Sequence, residues 1–296
     1  MDYTVIKALD NEELYLKVYE CKNPKGCIQV IHGMMEHQDR YEAFANYYNK
    51  LGYTVVTSDL RGHGKNAKFL GRFAKKDGYI RLISDQLVIT NYINNTLKIS
   101  KVILFGHSMG SIIARDVLID NSASYEKVIL SGFPYYQSGA HFGIWLSGFV
   151  QTFKTSFGKS KMLDKLTCGR YSKKIKNRKT DYDWLSINEE NVKNYINDPL
   201  CGIEFTACAY GDLFKLLKLL HKKKSSNTIN LPILLLNGKE DPVVGGKIGY
   251  KQTITDLNTQ GFDNLTHVEF DNMRHEILNE KENILVYQEI DKFLGE

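Results

Sequence analysis

The sequence predicts an α/β fold: a mainly parallel central sheet with helices on both faces and a helical cap inserted late in the chain. Short apolar runs recur at residues 27–31, 53–57, 102–105, 128–130, 233–236 and 268–270. Such runs belong to strands buried on both sides. Helix-length amphipathic stretches at 41–51, 84–94 and 111–120 separate most of them, the alternation of a doubly covered parallel sheet. From about residue 134 to 226 no buried strand is legible, and a gap that long is not a plain loop in a compact domain.

Taken in order, residues 13–19 alternate apolar and polar side chains as an antiparallel strand does. The next two runs lead into His32-Gly33-Met34-Met35-Glu36-His37 and Asp59-Leu60-Arg61-Gly62-His63-Gly64. The fourth opens onto Gly106-His107-Ser108-Met109-Gly110 and a helix. Prolines punctuate both ends of the long gap, at Pro134 and Pro232. The expected organisation is a core of residues 1–133 and 227–296 interrupted by a helical cap, 134–226.

Composition restricts the partners more than the function. At 296 residues, with 43% hydrophobic and 25% charged content, the chain is an ordinary globular sequence able to bury a large core. Its +5 net charge includes clusters at Lys173, Lys174, Lys176, Arg178 and Lys179, and at Lys222, Lys223 and Lys224. These read as solvated surface, and with no nucleic-acid module beside them no nucleic-acid partner is expected. Five scattered cysteines with no Cys-x-x-Cys pair argue for reduced thiols rather than disulfides or zinc. The N-terminus lacks signal-peptide features, and no apolar run approaches the roughly 20 residues a membrane span needs. The expectation is a cytoplasmic protein.

Gly106-His107-Ser108-Met109-Gly110 is the strongest chemical signal. With a strand before it and a helix after it, it has the context of a nucleophile elbow, where small residues must flank a strained serine. A serine hydroxyl is a weak nucleophile without a base, and the base needs an orienting acid. In hydrolases built on such a sheet the chain order is serine, acid, histidine. Asp241 follows the strand at 231–236 and is the best acid candidate, with Glu240 as the local alternative. His275 follows the last strand, which places it at the same carboxyl edge of the sheet. Oxyanion donors are expected from the backbone N–H groups of Met34 and Met109. His32 and His37 have no acidic or cysteine partners at ligand spacing in sequence, so no metal is assigned to them.

These segments, with Asp198-Pro199-Leu200-Cys201-Gly202, Gly238-Lys239-Glu240-Asp241-Pro242-Val243 and Arg274-His275-Glu276-Ile277-Leu278-Asn279-Glu280, resemble the monoacylglycerol lipase and lysophospholipase-like group of α/β-hydrolases. That group shares its catalytic domain with serine aminopeptidases. The resemblance implies an α/β-hydrolase fold and a triad of Ser108, Asp241 and His275. It also implies an oxyanion hole at Met34 and Met109, a lid over an acyl-binding tunnel, and hydrolysis of monoacylglycerols or lysophospholipids without a cofactor. One position departs: Ser111 stands where the pattern more often has a second glycine, and its side chain is small enough for the elbow to survive. His32, Glu36, Arg61, His63 and His107 are expected to brace the site rather than react. The apolar segment at 142–150 is the candidate wall of the acyl tunnel and the candidate contact with a membrane surface. Two alternatives stay open, a peptidase using acids of the cap (Asp181, Asp183, Glu189, Glu190) and a non-catalytic lipid-binding protein.

Overall fold

A computed structural model describes residues 3–153 and 157–296. Eight strands form one sheet: β1 (Thr4–Lys7), β2 (Glu13–Tyr19), β3 (Cys27–Ile31), β4 (Thr54–Ser58), β5 (Val102–His107), β6 (Lys127–Ser131), β7 (Ile233–Gly238) and β8 (Leu265–Phe270). Their spatial order is β1-β2-β4-β3-β5-β6-β7-β8, antiparallel at β1/β2 and β2/β4 and parallel from there on. Around the sheet lie α1 (Glu42–Lys50), α2 (Gly78–Asn95), α3 (Met109–Asn121), α9 (Gly246–Gln260) and α10 (Ile284–Leu294). Between β6 and β7 come α4 (Gly139–Phe153), α5 (Lys161–Thr167), α6 (Gly169–Ser172), α7 (Glu189–Asn197) and α8 (Ala207–Leu219).

Alternate side chains of the same strand feed two separate cores, which is why the strands read as continuous apolar runs. Cys27 and Ile31 pack on one face of β3 with Leu104, Val128 and Leu235. Ile28 and Val30 pack on the other with Phe105, Ile129 and Leu234. The amphipathic strand β1 escapes the apolar pattern because it is an edge strand whose residues are all exposed or half-buried.

In the helical segment between β6 and β7, side chains cap the starts of α5, α7 and α8. Thr206 Oγ1 accepts the Ala209 N–H at 3.2 Å to start α8, and Asn188 Oδ1 accepts the Glu190 N–H at 3.2 Å to start α7. α4 and α8 meet through small residues: a Cβ on Gly143 would lie 2.7 Å from the Phe214 ring, and one on Gly211 would lie 2.7 Å from Ser147 Oγ. Docking that face of α4 inward turns Phe142, Trp145, Phe149 and Phe153 outward, 61, 61, 51 and 77% exposed. Their rings contact one another in succession along the helix. The apolar segment expected to wall a tunnel thus presents its aromatics to solvent.

Candidate active site

Ser108 sits between β5 and α3 at φ 51° and ψ −118°, a conformation that costs an L-residue energy and needs tight surroundings to persist. Gly106 and Gly110 supply the room. A Cβ on Gly106 would lie 2.6 Å from the Gly110 carbonyl oxygen, and one on Gly110 would lie 2.1 Å from that of Ile31. Ser111 is accommodated because its buried hydroxyl donates to the Ser108 carbonyl at 2.6 Å, which ties the elbow to the first turn of α3. Met109 is the first residue of α3, so its N–H is one of the donors that a helix start leaves without an internal acceptor.

His275 follows β8 and Asp241 follows β7, so the parallel sheet brings both to the edge that carries Ser108. The His275 Nδ1 lies 2.9 Å from Asp241 Oδ2, and both side chains are buried. The other Asp241 oxygen accepts the Val243 N–H at 2.8 Å, which fixes the carboxylate plane. Glu240 instead is half exposed and lies 3.5 Å from Arg274. Burial disfavours the His275 cation, but Asp241, with Glu276 and Glu36 behind it, outweighs burial and raises the imidazole pKa above its ordinary value. With Nδ1 engaged, Nε2 is the nitrogen left for proton exchange. The ring packs between Trp184 at 5.1 Å and His107 at 4.7 Å. Gly132, at φ 55°, passes so close that a Cβ there would meet Nδ1 at 2.8 Å.

The loop after β3 is held from several sides. Glu36 Oε1 accepts the Gly33 N–H at 2.6 Å and the Tyr41 hydroxyl at 2.9 Å, while Arg40 donates to its other oxygen at 2.8 Å. His32 donates from Nδ1 to the Gly33 carbonyl and accepts the Leu60 N–H on Nε2. His63 donates from Nδ1 to the Arg61 carbonyl and accepts the Met35 N–H on Nε2. Burial holds both imidazoles at a pKa of about 3, so each is a neutral clamp with one donor and one acceptor. His107 bonds Ser131 Oγ at 3.2 Å, and burial lowers it to about 4. Met35, at φ 59°, gives its carbonyl to the Tyr195 hydroxyl and the Gly202 N–H, each at 2.9 Å. Arg61 is the residue whose side chain leaves the site: it pairs with Asp85 and Asp10, and only its carbonyl supports His63.

Residues missed from the sequence join these loops together. Arg40 donates from both terminal nitrogens to Glu276, at 2.6 Å each, and Asn191 donates to the same carboxylate at 2.7 Å. The Glu276 N–H donates to the Leu185 carbonyl at 2.7 Å. Arg40 follows Glu36 by one helical turn, a spacing that suggests an ion pair, whereas its larger partner is 236 residues away. His37, Asp198 and Cys201 place ligand-type atoms within 4.8 Å of one another. Asp198 already accepts from His37 at 2.8 Å and from the Leu200 N–H at 2.8 Å, with Arg40 adding positive charge nearby. That hydrogen bond ties the loop after β3 to the segment after α7.

Ser108 borders two cavities. One, of about 680 Å³, also touches Gly33, Met34, His275, Lys161, Lys165, Lys173, Arg178 and Asp181. The other, of about 70 Å³, is walled mainly by Met109, Ile112, Leu166, Leu213, Phe214, Leu217 and Val243. A serine that shares a cavity with an imidazole oriented by a carboxylate, and that stands at a helix start with free backbone donors, is an arrangement suited to acyl transfer.

The family model described as "Serine aminopeptidase, S33" matches residues 22–282. The chain is 24% identical over 283 residues to the monoacylglycerol lipase of Mycolicibacterium smegmatis, covering 92% of this chain and 89% of that protein. It is 25% identical to the rat monoglyceride lipase, covering 81% and 74%. A monoglyceride lipase homolog of monkeypox virus is 31% identical over 123 residues, 41% of this chain and only 44% of the viral protein. Among solved structures, a thermostable carboxyl esterase from Bacillus coagulans superposes with a TM-score of 0.87 at 23% identity, covering 100% of this chain and 98% of that one. The monoacylglycerol lipase of Paleococcus ferrophilus gives 0.73 at 22%, covering 96% and 98%. The chain belongs to the serine aminopeptidase S33 family and is an α/β-hydrolase of the esterase and lipase type.

Proposed function

We propose that the protein hydrolyses carboxylic esters of single-chain lipids, monoacylglycerols or lysophospholipids, through an acyl-enzyme on Ser108. The observation that carries the proposal is the strained Ser108 sharing a cavity with His275, whose Nδ1 lies 2.9 Å from Asp241. His275 takes the hydroxyl proton as Ser108 Oγ attacks the carbonyl carbon, and the N–H groups of Met34 and Met109 hold the oxyanion. The bond to the alcohol breaks, and His275 gives its proton to the departing oxygen. Water then repeats the sequence on the acyl-enzyme, frees the fatty acid and restores Ser108. Asp241 fixes the tautomer of His275 and stabilises its cation.

The segment 134–226 acts in this reading as a cap that selects the substrate. Its outward aromatic row on α4 suits a lipid surface into which apolar rings insert. No helix among the described residues is long and apolar enough to cross a membrane. Release of fatty acid from a monoacylglycerol, with Ser108→Ala as the blank, tests the proposal. Turnover abolished in the variant is the expected result, and near-normal turnover would refute the assignment.

A second reading is favoured by Asp181, Asp164 and Glu204, which line the same cavity as Ser108 and could receive a peptide's free amine. Faster cleavage of aminoacyl p-nitroanilides than of lipid esters would establish it.

A further inference from the structure

We propose that the larger cavity is a headgroup chamber for zwitterionic lysophospholipids, in which Lys161, Lys165, Lys173 and Arg178 receive the phosphodiester. The inference rests on the ester-hydrolase reading and adds the identity of the leaving alcohol. Ser108 lies between the two cavities. The smaller is lined mostly by apolar side chains, with Gln137, Thr167 and Arg170 among the polar ones, and does not include His275, whereas the larger does. The imidazole must deliver its proton to the departing alcohol oxygen, so the alcohol lies on the His275 side and the acyl chain on the other. Whatever the alcohol carries therefore enters the larger chamber.

That chamber is charged well beyond what glycerol requires. Lys161 and Lys165 stand one turn apart on α5, where like charges repel and an anion between them relieves the repulsion. Among the described residues neither they nor Lys173 has an ion-pair partner, and Arg178 reaches Asp181 only at 3.9 Å. Of the other acids in the chamber, Glu36 and Glu276 are matched by Arg40, and Asp164, which stands on α5 between Lys161 and Lys165, accepts the Tyr210 hydroxyl at 2.9 Å and offsets only one of the four cations. Asp181 and Glu204 share the chamber with the ring of Tyr182, whose centroid lies 5.2 Å from that of Tyr195. Carboxylates beside aromatic faces attract an alkylammonium group. One chamber thus offers cations for a phosphate and an anionic, aromatic wall for the ammonium on the same headgroup.

The test compares kcat/KM for lysophosphatidylcholine, lysophosphatidic acid and a monoacylglycerol of the same acyl chain, in wild type and in Lys161→Glu/Lys165→Glu. Fluorophosphonate labelling of Ser108 checks that the variant's site is assembled. The expected result is a wild-type preference for the choline lipid over both others. The ratio of choline-lipid to monoacylglycerol turnover should fall at least tenfold in the variant. A wild-type enzyme that cuts only the monoacylglycerol, or an unchanged ratio in a labelled variant, overturns the chamber and leaves the hydrolase reading standing. Equal or faster cleavage of lysophosphatidic acid overturns the zwitterion. Failure to cut all three, and p-nitrophenyl butyrate as well, removes the hydrolase reading and the chamber with it.

Discussion

Arg40 grips Glu276 with two hydrogen bonds of 2.6 Å, joining the loop after β3 to the residue that follows His275. The same guanidinium reaches Glu36, which in turn holds the Gly33 N–H. One buried cation therefore couples the loop after β3 to the loop that carries His275. Burial opposes the charge on both carboxylates, but Arg40 outweighs it and keeps their pKa values below the ordinary one. Replacing Arg40 by Met should leave two buried carboxylates unmatched and cost about 3–5 kcal/mol of stability. Urea unfolding measures this, and a loss under about 1 kcal/mol would mean the network is not a structural hub.

The pH dependence follows from His275. Catalysis needs the neutral imidazole, and its pKa is raised, with burial opposed and outweighed by Asp241. As pH falls through that raised value the base is protonated and activity is lost. The acid limb of kcat/KM should therefore lie above pH 6.5, the ordinary value. Asp241→Asn should move the limb down and lower kcat by about 10⁴. A limb below the ordinary histidine value in wild type would contradict the assignment of His275 as the base.

Gly132 should tolerate no side chain. Its φ of 55° disfavours other residues, and an added Cβ would sit 2.8 Å from His275 Nδ1. Displacing the imidazole by about 1 Å predicts a fall of about 100-fold in kcat for Gly132→Ala on a short ester. A kcat within threefold of wild type would show that the ring is not held by this contact.

Tyr195 tests whether the cap shapes the oxyanion loop. Its hydroxyl donates to the carbonyl of Met35, a residue held at positive φ beside Met34. Tyr195→Phe should lower kcat about fivefold with little change in KM, since one loop-positioning hydrogen bond is worth about 1 kcal/mol. A change confined to KM would place Tyr195 in substrate binding instead.

The aromatic row on α4 predicts a split between binding and chemistry. Trp145→Ser with Phe149→Ser should weaken binding to anionic vesicles at least fivefold, because both side chains are more than half exposed. Turnover of a soluble short ester should stay unchanged. Equal vesicle binding by the variant would remove the membrane role.

The residues legible in the sequence are those whose position follows from a strand end. Ser108, Asp241 and His275 each come just after a strand that the sequence marks by its apolar residues, so a parallel sheet must deliver them to one edge. Arg40, Asn191 and Tyr195 were not legible as site residues, since their partners lie 236, 85 and 160 residues away and no local pattern announces them. Ala140, Gly143 and Ser147, small residues spaced along one helical face, mark the inward side of α4, whereas apolar content alone points to the aromatics on the opposite side.

The central claim is that Ser108 is an activated nucleophile. The most direct measurement is the intact mass and peptide map of the protein after treatment with a fluorophosphonate. The account predicts a single adduct on Ser108, abolished by Ser108→Ala and greatly slowed by His275→Ala. Labelling elsewhere, or none at all in folded protein, would contradict it.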